Sequence, residues 1–244
     1  MPNYKRPPIT EASFEIRLSD PLEDAKLQAL EKRLKSRFAS SEPTVDFAVG
    51  FDVKRREAIT DERDHGYRLE SKDRADIVLI KSRSFVCSRL APYGGWEAFL
   101  EKCQESWGVW KRVMGARKVE RIGLRYINRI DISMVYNKKI DVEDYLTVVP
   151  KYPEPDTIAS FNRYTMQVVG VMESRDFDLA INTSIVPSPL VDHVSVVLDL
   201  DVFRQRDVPQ SDTKIWEMAN VMREHKNRVF EACVTDASRE LFSK

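Results

Sequence analysis

Polar and apolar residues alternate strictly at two places in this chain, and each place opens a similar run of elements. In the first, Ala12, Phe14, Ile16 and Leu18 alternate with Glu11, Ser13, Glu15 and Arg17. Period two is the signature of a half-buried strand. In the second, Arg121, Gly123, Arg125, Ile127, Arg129 and Asp131 fall on one side of a strand. Ile122, Leu124, Tyr126, Asn128, Ile130 and Ile132 fall on the other. Each strand predicts one apolar face and one charged face.

Helical spacing follows each strand. Asp20-Pro21-Leu22-Glu23 predicts a helix start, with Leu27, Leu30, Leu34 and Phe38 on its inner stripe and an end near Ser40. Val45–Val53, Tyr67–Glu70 and Ile77–Leu90 read as strands, and charged Arg55–His65 as a solvated hairpin connection. After Gly94-Gly95, the residues Trp96, Phe99, Leu100, Cys103, Trp107, Trp110 and Val113 stripe a long helix that Gly115 closes. In the second half, Asp141–Leu146 reads as a short helix and the proline-rich stretch Val149–Pro155 as a loop or hinge. Tyr164–Met172, Phe177–Ser184 and Val194–Phe203 read as strands. Ser211-Asp212 opens a last long helix with Ile215, Ala219, Met222, Val229 and Cys233 inward.

These elements predict an α+β fold. A large, mostly antiparallel sheet is expected to carry two long helices on one face. The order strand, helix, three strands, longer helix occurs in both halves, 1–118 and 119–244. That order resembles the duplicated fold of the TATA-binding protein, in which the two opening strands meet in one curved sheet. Such a likeness implies an architecture and not a function.

Composition narrows the function classes. The 244 residues are 42% hydrophobic, enough for a globular core, and the formal net charge is zero. Neither half has the basic excess of a dedicated nucleic-acid binder. Cys87, Cys103 and Cys233 form no CxxC pair, which fits free thiols in a reducing cytoplasm. No apolar run is long enough for a membrane span. Walker, GxGxxG, GxSxG and HExxH patterns are absent, so no cofactor is expected and no catalytic set stands out.

Two constellations carry chemistry. Glu11, Glu15, Arg121, Arg125 and Arg129 share the charged faces of the opening strands. If those strands pair antiparallel, acids oppose guanidiniums, as a salt-bridge ladder or as a pocket gripping a phosphate or carboxylate. Asp178, Asp199 and Asp201, with Asn182, lie on neighbouring strands and offer oxygen ligands for Mg²⁺. The first reading gives a non-enzymatic binding module for an anionic ligand or a protein. The alternative is a metal-dependent phosphoesterase or nucleotide hydrolase, and a second alternative is a nucleic-acid-binding saddle. The tryptophan stripe suggests homodimerisation if partly uncovered.

Three segments also resemble the motifs of a sporadically distributed, uncharacterised prokaryotic family: Pro7-Pro8-Ile9-Thr10-Glu11-Ala12-Ser13-Phe14-Glu15, Arg121-Ile-Gly-Leu-Arg-Tyr-Ile-Asn-Arg129 and His225-Lys-Asn-Arg-Val-Phe-Glu231. The resemblance implies a protein of about this length acting as one unit. It carries over no catalytic residue, but Glu11, Glu15, Arg125, Asn128 and Arg129 lie within its motifs.

Overall fold

In a computed structural model, residues 4–52, 57–134, 140–151, 162–174 and 176–243 are described, 47–52 and 57–63 by their backbone alone. Among the described residues, nine strands form one antiparallel sheet: β1 (Ile9–Leu18), β2 (Ser40–Asp52), β3 (Glu57–Glu70), β4 (Asp76–Lys81), β5 (Ser84–Leu90), β6 (Val119–Ser133), β7 (Thr165–Val171), β8 (Asp178–Pro187) and β9 (His193–Arg204). Their order is β2-β3-β4-β5-β1-β6-β9-β8-β7. Four α-helices accompany them within the described residues: α1 (Asp24–Lys35), α2 (Trp96–Met114), α3 (Asp212–Cys233) and α4 (Asp236–Ser243). The fold is therefore α+β. None of the described helices is long and apolar enough to cross a membrane.

The expected pairing of the two opening strands is present. The Arg129 amide donates to the Pro8 carbonyl (2.9 Å) and the Thr10 hydroxyl to the Ile127 carbonyl (3.1 Å). Rising numbers in β1 meet falling numbers in β6, so the two run antiparallel. Among the described residues the halves are not equal copies: four strands separate α1 from α2, whereas three separate β6 from α3.

The chain divides into two compact units, and the division runs through β1 and β6. One unit holds Ser13–Ile122 with Val208–Gln210; the other holds Met1–Ala12, Gly123–Asp207 and Ser211–Lys244.

In the first unit, Phe14, Ile16 and Leu18 of β1 are buried, as their alternation requires. Leu27, Leu30 and Leu34 line the inner face of α1. That helix begins at Asp24, with Glu23 as its N-cap, and Asp20-Pro21 precedes it. The Leu22 amide bonds the Ser82 carbonyl (2.7 Å), which leaves Pro21 outside the first turn. Trp107 and Trp110 of α2 stack at 4.4 Å and 10°, and Phe85 of β5 meets Trp107 edge-on at 5.4 Å. Gly115 closes α2 at φ 70°, a left-handed conformation that glycine adopts without steric cost. Gln210 behaves as an added piece of strand. It accepts from the Val119 amide and donates to the Val119 carbonyl, each at 2.9 Å, which ties 208–210 to this unit.

The charged stretch expected as a connection is strand instead. Residues 57–65 of β3 pair with β2 alone, because β4 joins only at Gly66–Glu70. A two-stranded ribbon needs no apolar face, so charge does not forbid it. Asp64 shows how the polar groups are used: its Oδ1 accepts from the Ser82 amide (3.0 Å), the Ser82 hydroxyl (2.5 Å) and the His65 amide (2.9 Å). Pro43 lies inside β2, at the sheet edge, where a missing N–H costs no ladder bond. Val53, Arg55 and Arg56 lie outside the described residues.

The second unit packs α3 on β9. Ile130 and Ile132 of β6 join Val196, Leu198 and Leu200 of β9, Phe230 and Cys233 of α3 and Phe242 of α4 in one core. Beyond α3 the chain forms a separate short helix, α4. It is tied back by the Arg6 amide on the Phe242 carbonyl (2.9 Å) and by Tyr4, whose ring meets Phe242 edge-on at 5.3 Å. The short helix expected at Asp141–Leu146 is a single 3-10 turn, Val142–Asp144, capped by the Asp141 side chain. Of the expected loop at Val149–Pro155, residues 152–155 lie outside the described set.

Gly66 tests the packing of β3 on β4. A Cβ there would stand 1.9 Å from the Ile80 carbonyl oxygen, a backbone atom that cannot turn aside. Gly66→Ala is expected to destabilise the fold by about 2–3 kcal/mol in urea titration, as overpacking does.

Candidate functional site

β6 presents the two faces that its sequence predicts. Ile122, Leu124, Tyr126, Asn128, Ile130 and Ile132 are all buried, and Asn128 donates to the Leu198 carbonyl of β9 (3.0 Å). The opposite face carries the guanidiniums, and the structure distributes them between the two units.

In the first unit, Arg121 is buried and ion-paired to Glu15 across the β1–β6 ladder. Glu15 also accepts from Arg17 at 3.1 Å. Arg121 and Glu15 are therefore brought together as the antiparallel pairing requires.

In the second unit, Arg125 is held side-on by Asp199 of β9. Its Nε donates to Oδ1 at 2.8 Å and its Nη2 to Oδ2 at 2.7 Å. Asp199 is 7% exposed at its side chain, whereas Arg125 is 49% exposed. The bond network continues outward across two more strands. Asn182 of β8 donates to Asp199 Oδ2 at 3.0 Å, and Gln167 of β7 donates to Asn182 Oδ1 at 2.7 Å. Register explains the alignment, because Asn182 pairs with Asp199 and Gln167 with Asn182. Residues directly opposite share a face, so four side chains form one line. The Asp199 bond, aided by the charges of Asp201 and Glu11, raises the Arg125 pKa above its ordinary value against the effect of burial.

Arg129 sits elsewhere on the same face. It donates from Nε to Asp131 at 3.0 Å, and Asp131 also takes the Ser195 hydroxyl at 2.5 Å. Glu11 belongs to this unit and acts on Arg125 through its charge. Arg125 and Arg129 thus share their face with Glu11, Asp131, Asp199 and Asp201, so the face holds no positive excess. Directed donors, and not net charge, are what it offers a ligand.

The three carboxylates considered for a metal do not gather. Asp178 bonds Arg206 at 3.0 Å, whereas Asp199 is saturated by Arg125 and Asn182. Among the described residues, no three His, Cys, Asp or Glu side chains are grouped to hold a metal ion. The histidines are dispersed: His65 lies on Asp24 (2.8 Å), His193 Nδ1 donates to the Val191 carbonyl (2.7 Å), and His225 accepts from Arg228 (2.9 Å). Burial, then the Arg228 charge, lowers the His225 pKa, and His225 borders an open hollow of about 500 Å³ with Glu173 and Ser174.

One residue of note was not apparent from the pattern. Lys226 interrupts the apolar stripe of α3 and is 6% exposed. Its Nζ lies 3.9 Å from the centroid of the buried Tyr126 ring. Burial, then the nearby Arg223, pushes its pKa down to about 7, against the pull of Glu231. The ring face of Tyr126 also favours the ammonium. Spacing could have found it: Met222 and Phe230 are both buried, and Lys226 stands four residues from each. Likewise, Asp199 as the partner of Arg125 follows only from the β6–β9 adjacency.

No protein-family model matches this chain, and no curated protein sequence matches it significantly.

Lys226 sets a pH dependence with a definite sign. The unfolded chain takes up a proton near lysine's ordinary 10.5, the folded chain only near 7. Stability is therefore lost as pH falls through this window and is constant below it. Lys226→Met is expected to be more stable than the wild type at pH 7. Its advantage should shrink by up to about 1.4 kcal/mol per pH unit between pH 7 and 10. Paired urea titrations across that range read the difference, and an advantage independent of pH would contradict it.

Proposed function

We propose that this protein is a non-enzymatic binding module that takes a small phosphate- or carboxylate-bearing ligand, or such a group on a protein, at Arg125. The observation behind this reading is the geometry of Arg125. Asp199 occupies its Nε and one edge of Nη2, the side chain is half exposed, and among the described residues Nη1 has no protein partner. A guanidinium locked by a buried carboxylate has already lost its rotamer freedom, so an incoming oxyanion meets a preorganised donor pair. Arg129, oriented by Asp131, is the second donor on this face. Compensation by Asp199 keeps the attraction local and modest, as suits a reversible ligand. Three buried free thiols support a cytoplasmic setting for the protein.

Calorimetric titration with inorganic phosphate, pyrophosphate and citrate tests the proposal. The wild type is expected to bind at least one of them. Arg125→Lys keeps the charge beside Asp199 and so keeps the fold, but it removes the planar donor pair. Affinity should fall by about tenfold or more. No binding of any of the three, or binding unaltered by Arg125→Lys, would overturn the reading.

A further inference from the structure

We propose that β7 pairs edge to edge with the β7 of a second copy of this chain, with Gln167 on the two-fold axis. The strand Thr165–Val171, Thr-Met-Gln-Val-Val-Gly-Val, is the last strand of the sheet and has no charged residue and no proline. It is exposed along almost its whole length, and Val169 is 59% exposed. Val168 and Val171 are also among the exposed large apolar residues. An uncharged, regular edge is what monomeric sheets avoid. The opposite edge of the same sheet is guarded. β2 carries Glu42, Pro43 and Asp46, and its ladder with β3 slips by one residue between Asp46 and Phe47.

Hydrogen bonding shows which backbone groups face outward. The Ile185 amide donates to the Tyr164 carbonyl and the Met172 amide to the Phe177 carbonyl, both in the register of the β7–β8 ladder. Even-numbered residues of β7 therefore spend their amides and carbonyls on β8. Thr165, Gln167, Val169 and Val171 turn theirs to the open edge. An antiparallel copy with Gln167 opposite its own counterpart brings Thr165 opposite the second copy's Val169. Outward-facing groups then meet outward-facing groups throughout.

The occupant is a second copy because the strand complements itself. With no charge on β7, self-pairing sets no like charges together. Gln167 adds a specific contact. Its Nε2 gives one hydrogen to Asn182, and among the described residues its second hydrogen and its Oε1 have no partner. Two such amides across a two-fold axis donate to and accept from each other. The line Arg125–Asp199–Asn182–Gln167 would then run on into the second copy. This inference does not depend on ligand binding at Arg125.

Sedimentation equilibrium of the full chain from about 1 to 100 μM is expected to show a reversible dimer. Val169→Lys puts a like charge on each side of the axis and should give a monomer with an unchanged circular dichroism spectrum. Val45→Lys on the guarded edge should leave the dimer intact. Gln167→Cys supplies the register test. All three native cysteines are buried, so diamide oxidation should join two chains through position 167 alone, doubling the 28.3 kDa band on a non-reducing gel. A wild type that stays monomeric throughout overturns the proposal. A dimer that Val169→Lys leaves unchanged, or one in which Gln167→Cys forms no cross-link, overturns it equally.

Discussion

A fifteen-residue strand with one face apolar but for Asn128 and one face bearing guanidiniums and acids can be stable only under two conditions. The first face must be covered and the second neutralised. β6 meets both. Tyr126, Ile130 and Ile132 are buried, Tyr126 beneath Lys226 of α3 and the two isoleucines in the core that α3 and α4 close, while Arg121, Arg125 and Arg129 each meet a carboxylate on β1, β9 or β6 itself. Much of the molecule can be read as a consequence of this strand. It passes through both compact units, and each unit keeps one piece of β1 beside one piece of β6.

The charged face does not act as a simple anion sink. Exposed ion pairs contribute little, of order 0–1 kcal/mol each. The buried carboxylate of Asp199 is different in kind. Removing Arg125 would leave it without the only cation paired to it among the described residues, so the fork is structural before it is anything else. The binding role proposed above would draw on this structural role. Arg125 is fixed by the needs of the fold, with one side turned to solvent. The same ladder of amides reaches the open edge at Gln167, so the polar face and the sheet edge form one connected polar system within the second unit.

Lys226 is the counterpart on the helix side. An amine inside an apolar stripe lowers stability at neutral pH, and a protein selected only for packing would place leucine there. Its position over Tyr126 brings α3 and β6 into contact. His225 and Arg228, one residue before it and two after it, hydrogen-bond each other on the more exposed side of the same helix.

The alternation in β1 and β6, the stripes of α1, α2 and α3, and the glycine stop at Gly115 were legible in the chain by itself, because each depends only on near neighbours and the solvent contrast between two faces. The stripe even contained the place of Lys226, though an apolar pattern gives no reason to put lysine there. Local sequence misread 57–65, since a charged segment is a loop or a ribbon depending on whether a partner strand lies beside it. It also could not decide what Asp199 does. A carboxylate on a strand is a metal ligand, a solvated charge or a clamp according to what the adjacent strand presents. That adjacency joins residues 74 positions apart in sequence, Arg125 and Asp199, through pairing that only the tertiary fold creates.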